Sequence, residues 1–204
     1  LKKIQADAAW LRPPQGTVVV GIIDTGIDYN HPDITDNIWT DPKNHHTHGF
    51  NAVNLKNILD PMDDNTHGTH VGGIVAAVKN EFGATGIDFR AKLMGIKVLN
   101  KMGFGESSDI AVGIYFAGVK RLEGINLRVV NMSFAGYGKS YTVETALQYL
   151  REQGVLVIAA ASNESSVWPV FPASYPLDNI ISVAATDTAD QLTEWSNRGL
   201  YVDL

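Results

Sequence analysis

Cysteine is absent from the 204-residue chain, which removes disulfides, thiolate-bound zinc and thiol nucleophiles from consideration. The compartment stays open on that evidence alone. Positive charge is scarce and scattered. With 16 Lys and Arg against 22 Asp and Glu, the net charge is -6 and no basic block forms, so nucleic acid is not an expected partner. No apolar run approaches the ~20 residues needed to span a bilayer. The opening LKKIQADAAW has no signal-peptide apolar core, which places any targeting segment outside the chain. Internal repeats and low-complexity linkers are missing as well.

What remains is an ordinary globular composition, 45% apolar and 19% charged, long enough for one domain with a sizeable core. Five short apolar runs punctuate it: 17–24, 92–99, 127–134, 154–162 and 179–186. Each is nearly continuous in apolar character, the pattern of strands buried on both faces of a parallel sheet. Helices are predicted between them. One covers 67–79, where Gly and Ala permit close packing. A second covers 107–122 behind a Ser-Ser-Asp cap, with Ile110, Ile114, Ala117 and Val119 on one face. A third covers 140–153, starting from Ser140 or Thr142 and stopping at Gly154. This alternation predicts an α/β fold, a doubly wound and mainly parallel sheet with helices on both faces. Residues 35–66 are the least regular stretch.

In such sheets functional groups gather at the C-terminal strand ends. Asp24 ends the first strand, Ser133 lies at the end of the third and Asn163 follows the fourth, while His67 opens a helix. Asp24 in GIIDTGIDYNHPDI is either an Asx-turn stabiliser or a working carboxylate, because an acid there needs a partner. An aspartic-protease pair would require a second Asp-Thr/Ser-Gly, and none occurs. His67 and His70 share a helix face, but the spacing is one residue short of His-Glu-x-x-His and no Glu lies between them.

Taken in order, VVVGIIDTGIDYNHPDI (18–34), HGTHVGGIVAA (67–77), VVNMSFAG (129–136) and VLVIAAASNES (155–165) resemble the subtilisin-like serine proteases. KVLNKMGFG, FPASYP and IISVAATDTADQLTEWSNRG extend the resemblance to the last residue. It implies a subtilisin-like three-layer fold, with Asp24 as the triad aspartate, His67 as the general base and Asn163 as the oxyanion donor. His70 is then a packed neighbour beneath the site. Peptide substrate is expected to add as a strand along Met102-Gly103-Phe104-Gly105 and Ser133-Phe134-Ala135-Gly136, with Ala160 and Ser162 beside it. Ala135 and Ser162 stand where the family commonly has glycine, which predicts a shallower pocket before the cut bond. The implied cofactor is a structural calcium, held by Asp33, the Asn80 side chain and the carbonyls of Val78, Phe82 and Ala84. The acidic residues Asp60, Asp63 and Asp64 are read as either a second calcium site or a solvated loop. His45, His46 and His48 are read as loop residues.

The family's nucleophile sits in a Gly-Thr-Ser-Met/Ala-type segment after the Asp and His in chain order. That segment is absent. Ser133 and Ser162 belong to the strand and Asn163 motifs, and Ser196 belongs to WSNRG, a stretch expected at the surface. The 204 residues therefore read as a single partial catalytic domain lacking the serine-bearing C-terminal part. The expected function is serine endopeptidase, with an inactive peptide-binding module as the alternative. Expected partners are a polypeptide substrate, the remaining part of the same domain and a propeptide in the precursor. Secretion follows from the family alone.

Overall fold

The computed structural model describes residues 1, 3–12 and 16–204. Six strands form one sheet: β1 (Val19–Asp24), β2 (Gly49–Asn51), β3 (Lys92–Lys97), β4 (Leu127–Met132), β5 (Leu156–Ala160) and β6 (Ile180–Val183). Their order is β2-β3-β1-β4-β5-β6 and every pairing is parallel. Helices α1 (Ala6–Trp10), α2 (His67–Ala76), α3 (Ser107–Leu122) and α4 (Tyr141–Glu152) accompany them. The α/β class read from the sequence is the observed one.

Strand alternation divides the apolar side chains between two layers. Val19 and Ile23 join Met94, Ile96, Val130 and Val157 under α3 and α4. Val20, Ile22 and Leu93 face α2 through Ala76, with Val71 and Val75 at its edge. Crossovers β2–α2–β3 and β3–α3–β4 run the same way along the sheet, yet their helices lie on opposite faces. With α3 and α4 in the usual right-handed connection, the β2–α2–β3 unit has the opposite hand. That topology brings the N-terminus of α2 beside the end of β1.

On the α2 side, β4, β5 and β6 are bare by comparison. Their inward residues Val130, Met132, Val157 and Ala159 are buried, whereas Val129, Leu156, Ile158, Ile181 and Val183 are only half-buried.

Three local expectations need correction. Helix α2 stops at Ala76 rather than continuing to 79, because the groups that would form its next bond are taken elsewhere: Val78 N–H donates to the Asp33 carbonyl at 2.8 Å and the Ile74 carbonyl accepts from Ile87 N–H at 3.0 Å. The Ser-Ser-Asp cap is not used: Glu106 occupies the cap position of α3 without a side-chain bond, and Asp109 complements the helix dipole from the first turn. Strand β2 falls inside the stretch read as irregular, since three residues carry too little periodicity to signal a strand. Ser140 does cap α4, its Oγ accepting from Val143 N–H at 3.4 Å.

Candidate active site

Asp24 is the last residue of β1 and fully buried. Its Oδ1 accepts two hydrogen bonds, from Thr25 N–H at 2.7 Å and from His67 Nδ1 at 2.8 Å. Oδ2 is buried with no partner among the described residues. Burial pushes the Asp24 carboxyl above the usual carboxylate range, although the bonds from His67 and Thr25 pull the other way. An ionised carboxylate only accepts, so the shared proton belongs to Nδ1 of His67. The imidazole is 47% exposed at the side chain, and its Nε2 has no hydrogen-bond partner among the described residues. An arrangement of this kind can orient a base and stabilise the imidazolium formed on it.

The loop that delivers His67 is fixed by a residue the sequence reading left undecided. Asp63 Oδ1 accepts from Thr25 Oγ1 (2.9 Å), Asn65 N–H (2.9 Å) and Thr66 N–H (3.0 Å), while Oδ2 accepts from Thr69 N–H (3.0 Å) and Oγ1 (2.6 Å). Burial acts to raise its pKa, but the bonds from Thr69, Asn65 and Thr66 outweigh it and hold the carboxyl below its usual range. Thr25 Oγ1 in turn accepts from Gly68 N–H at 3.0 Å. Three side chains thereby satisfy the open amides of the α2 N-terminus: Asn65 Oδ1 takes His67 N–H, Thr25 Oγ1 takes Gly68 N–H and Asp63 Oδ2 takes Thr69 N–H, while the Thr25–Asp63 bond ties the helix start to the end of β1. Lys97, buried beside Asp24 in the sheet register, donates to the carbonyls of Thr25 (2.5 Å) and Leu99 (2.9 Å) and to Asp64 Oδ1 (2.6 Å). Asp60 accepts from Tyr29 Oη and Asn57 Nδ2. The three acids organise the loop.

His70 does not pack beneath the site. It is exposed and lines a cavity of about 730 Å³ with Ile4, Ile74 and Ile87 on the outer side of α2. His48 contacts Thr40, the Trp39 carbonyl and the Tyr29 ring, and no metal-holding acid or histidine cluster occurs among the described residues.

Parallel strands set the predicted residues on one rim. Asn163 lies three residues beyond the end of β5, which is separated from β1 by β4 alone, or about 10 Å at the usual strand spacing. Asn163 is exposed. Ser162 before it holds φ at +80°, which explains why glycine suits this position. Ser162→Gly is expected to add about 0.5–1 kcal/mol of stability, read as a higher urea midpoint. An unchanged or lower midpoint contradicts the strain.

Both predicted substrate segments border one cleft of about 440 Å³, lined by Gly103, Phe104, Gly105, Phe134, Ala135 and Gly136 above Ile110 and Val143. Ser162 is not part of its lining. Backbone N–H and C=O groups of Ser133, Phe134 and Ala135 have no backbone partner among the described residues. Gly136 is already paired: its N–H and C=O bond to Phe171 at 2.9 and 2.8 Å, so it is not an open edge. In the other segment Asn100 binds the amides of Met102, Gly103 and Phe104 and donates to the Phe104 carbonyl. The carbonyls of Met102 and Gly103 remain free among the described residues.

Around Asp33 the 78–84 loop closes tightly. Val78 N–H donates to the Asp33 carbonyl (2.8 Å), Ala84 N–H donates to Asp33 Oδ2 (2.9 Å), and a Cβ on Gly83 would lie 2.6 Å from the carboxylate. Asp33 Oδ1 is buried and unpartnered among the described residues. The Asn80 amide oxygen accepts from Phe82 N–H. A buried, unpartnered carboxylate oxygen is a ligand of the kind a hard cation takes.

A sequence profile of the Subtilase family matches residues 15–204. A thermophilic serine proteinase of Bacillus sp. (strain AK1) is 37% identical over 186 residues, covering 91% of this chain and 42% of that protein. Thermitase of Thermoactinomyces vulgaris is 32% identical, covering 100% of this chain and 67% of that protein. Subtilisin Savinase of Lederbergia lenta is 34% identical, with 100% and 69% covered. The chain thus spans between two fifths and about two thirds of the length of these relatives. With an Asp-Thr-Gly strand end joined to the first histidine of an HGTH helix on a parallel sheet, the chain belongs to the subtilase family.

Proposed function

We propose that this chain supplies the base, its orienting carboxylate and the oxyanion donor of a serine endopeptidase whose nucleophilic serine lies outside residues 1–204. The observation that carries this reading is the 2.8 Å bond between buried Asp24 and exposed His67. In the proposed cycle, His67 Nε2 takes the serine hydroxyl proton as the oxygen attacks the substrate carbonyl. Asn163 donates its side-chain N–H to the developing oxyanion. The imidazolium then gives its proton to the leaving amine, and an acyl-enzyme remains. Water, deprotonated by the same Nε2, releases the acid and restores the serine.

The substrate is a polypeptide. Open backbone groups at Ser133–Ala135 and the free carbonyls of Met102 and Gly103 favour strand addition. Between them, the cleft over Ile110 and Val143 suits an apolar substrate side chain. The half-buried face of β4–β6 and the apolar cavity beside α2 are assigned to the serine-bearing part of the same domain. A calcium ion would be held by Asp33, Asn80 and the carbonyls of Val78, Phe82 and Ala84, and would brace the loop rather than enter the chemistry. A propeptide in the precursor and an extracellular location complete the reading. Among the described residues no helix is long and apolar enough to cross a membrane.

A tagged fluorophosphonate tests the assignment, with the tag located by mass spectrometry. Labelling of a serine outside residues 1–204, abolished by His67→Ala, is the expected result. No label anywhere would mark an inactive peptide-binding module. A tag within residues 1–204 would contradict the assignment of the nucleophile.

A further inference from the structure

Residues 162–166 form the turn that carries Asn163, and two of them adopt backbone conformations that side chains resist. The φ angles are +80° at Ser162 and +54° at Ser165. Such conformations persist only where the surroundings over-determine them. Here the surroundings are residues 194–198. Ser165 N–H donates to the Trp195 carbonyl at 3.0 Å, Ser165 Oγ to the Glu194 carbonyl at 2.7 Å, and Arg198 N–H to the Ser166 carbonyl at 2.9 Å.

At the centre is Asn197, fully buried. Its Oδ1 accepts from Glu164 N–H at 2.9 Å and from Ser166 N–H at 3.1 Å, and its own N–H donates to the Ser162 carbonyl at 3.0 Å. Both groups facing the side chain are donors, so only its oxygen can meet them. Nδ2 is buried without a partner among the described residues, a cost that marks the acceptor as the working half of the amide. The bonds bracket Asn163 on both sides and leave its side chain exposed. WSNRG, expected at the surface, instead places Ser196 and Asn197 in the interior.

We propose that Asn197 is a positioning residue for Asn163: its buried amide oxygen fixes the 162–166 turn and so sets where the oxyanion donor points. The inference rests on the reading of Asn163 given above. Without Asn197 the turn relaxes and the donor moves, while the apolar cleft that binds substrate is untouched.

The test uses the serine-complete protease, a short chromogenic peptide, and Asn197→Ala, Asn197→Asp and Asn163→Ala alone and combined, with kcat, KM and melting temperature measured for each. Asn197→Ala should lower kcat by about 10–100-fold, the scale of a displaced catalytic group, with KM little changed. Asn197→Asp keeps the acceptor and should retain most of kcat even if it melts earlier. In the Asn163→Ala background, itself down by about 10²–10³-fold, Asn197→Ala should cost little more. Equal losses in both backgrounds, or a loss in Asn197→Asp matching that in Asn197→Ala, would overturn the proposal. A parent enzyme that cleaves no peptide would instead overturn the reading of the site. Amide exchange then decides for Asn197: protection lost at Glu164 and Ser166 in Asn197→Ala supports it, and unchanged protection overturns it.

Discussion

In the serine-complete protease, Asp24→Asn should lower kcat by about 10⁴-fold with KM little altered, the scale seen when a triad aspartate is made neutral. Two donors, Thr25 N–H and His67 Nδ1–H, converge on Oδ1, so the amide oxygen takes that place and the amide nitrogen takes the unpartnered Oδ2 position. The fold tolerates the exchange. What disappears is the negative charge that, in the proposed cycle, stabilises the imidazolium while it holds the serine proton. Burial disfavours that charge in the resting protein and pushes the Asp24 carboxyl above its usual range. Asp24→Asn is therefore expected to melt at the same temperature as the parent or higher, a separation of activity from stability typical of strained functional groups. Steady-state kinetics and calorimetry on the same preparation check both halves. A kcat within tenfold of the parent would refute the role given to Asp24.

Gly68→Ala should damage stability and activity together, by a different route. A Cβ on Gly68 would lie 2.1 Å from the Gly26 carbonyl and 3.1 Å from Asp24 Cβ. The Gly26 carbonyl is backbone and Asp24 Cβ is fixed to backbone, so neither can swing aside, and α2 must move away from β1. The movement stretches the Gly68 N–H bond to Thr25 Oγ1 and the Asp24–His67 bond together. An expected loss of about 2–3 kcal/mol follows from overpacking, and the displaced base should cost about 10²-fold in kcat/KM. Denaturant melts and peptide cleavage measure the two effects. A variant with parental stability and activity would show that the close approach of α2 to β1 is not what sets the site.

Much of this architecture was legible in the sequence because its signals are local. Strands buried on both faces must be continuously apolar, so β1, β3, β4, β5 and β6 announce themselves, and Ser140 marks the start of α4. The positions of Asp24 and His67, at a buried strand end and a helix start, were also legible before their contact was known, whereas the roles proposed for them came from the resemblance. What was hidden depends on contacts between distant segments. The polar run at 60–64 looks the same as a solvated loop or an ion site until Asp63 is seen to collect donors from Thr25, Thr66 and Thr69. Asn197 looks like a surface residue until its oxygen is found between Glu164 and Ser166. Gly136 reads as an open edge until Phe171 pairs with it. The opposite hand of the β2–α2–β3 unit has no sequence signature, because handedness follows from which face a helix covers.

The central claim is that buried Asp24 holds His67 with its proton on Nδ1 and its Nε2 lone pair outward. A nitrogen-correlated NMR spectrum of the His67 ring tests it most directly. The account predicts a neutral ring carrying the proton on Nδ1, with a far-downfield, slowly exchanging resonance that moves upfield in Asp24→Asn. A ring protonated on Nε2 in the parent protein, or an Nδ1 proton indifferent to Asp24→Asn, would contradict it.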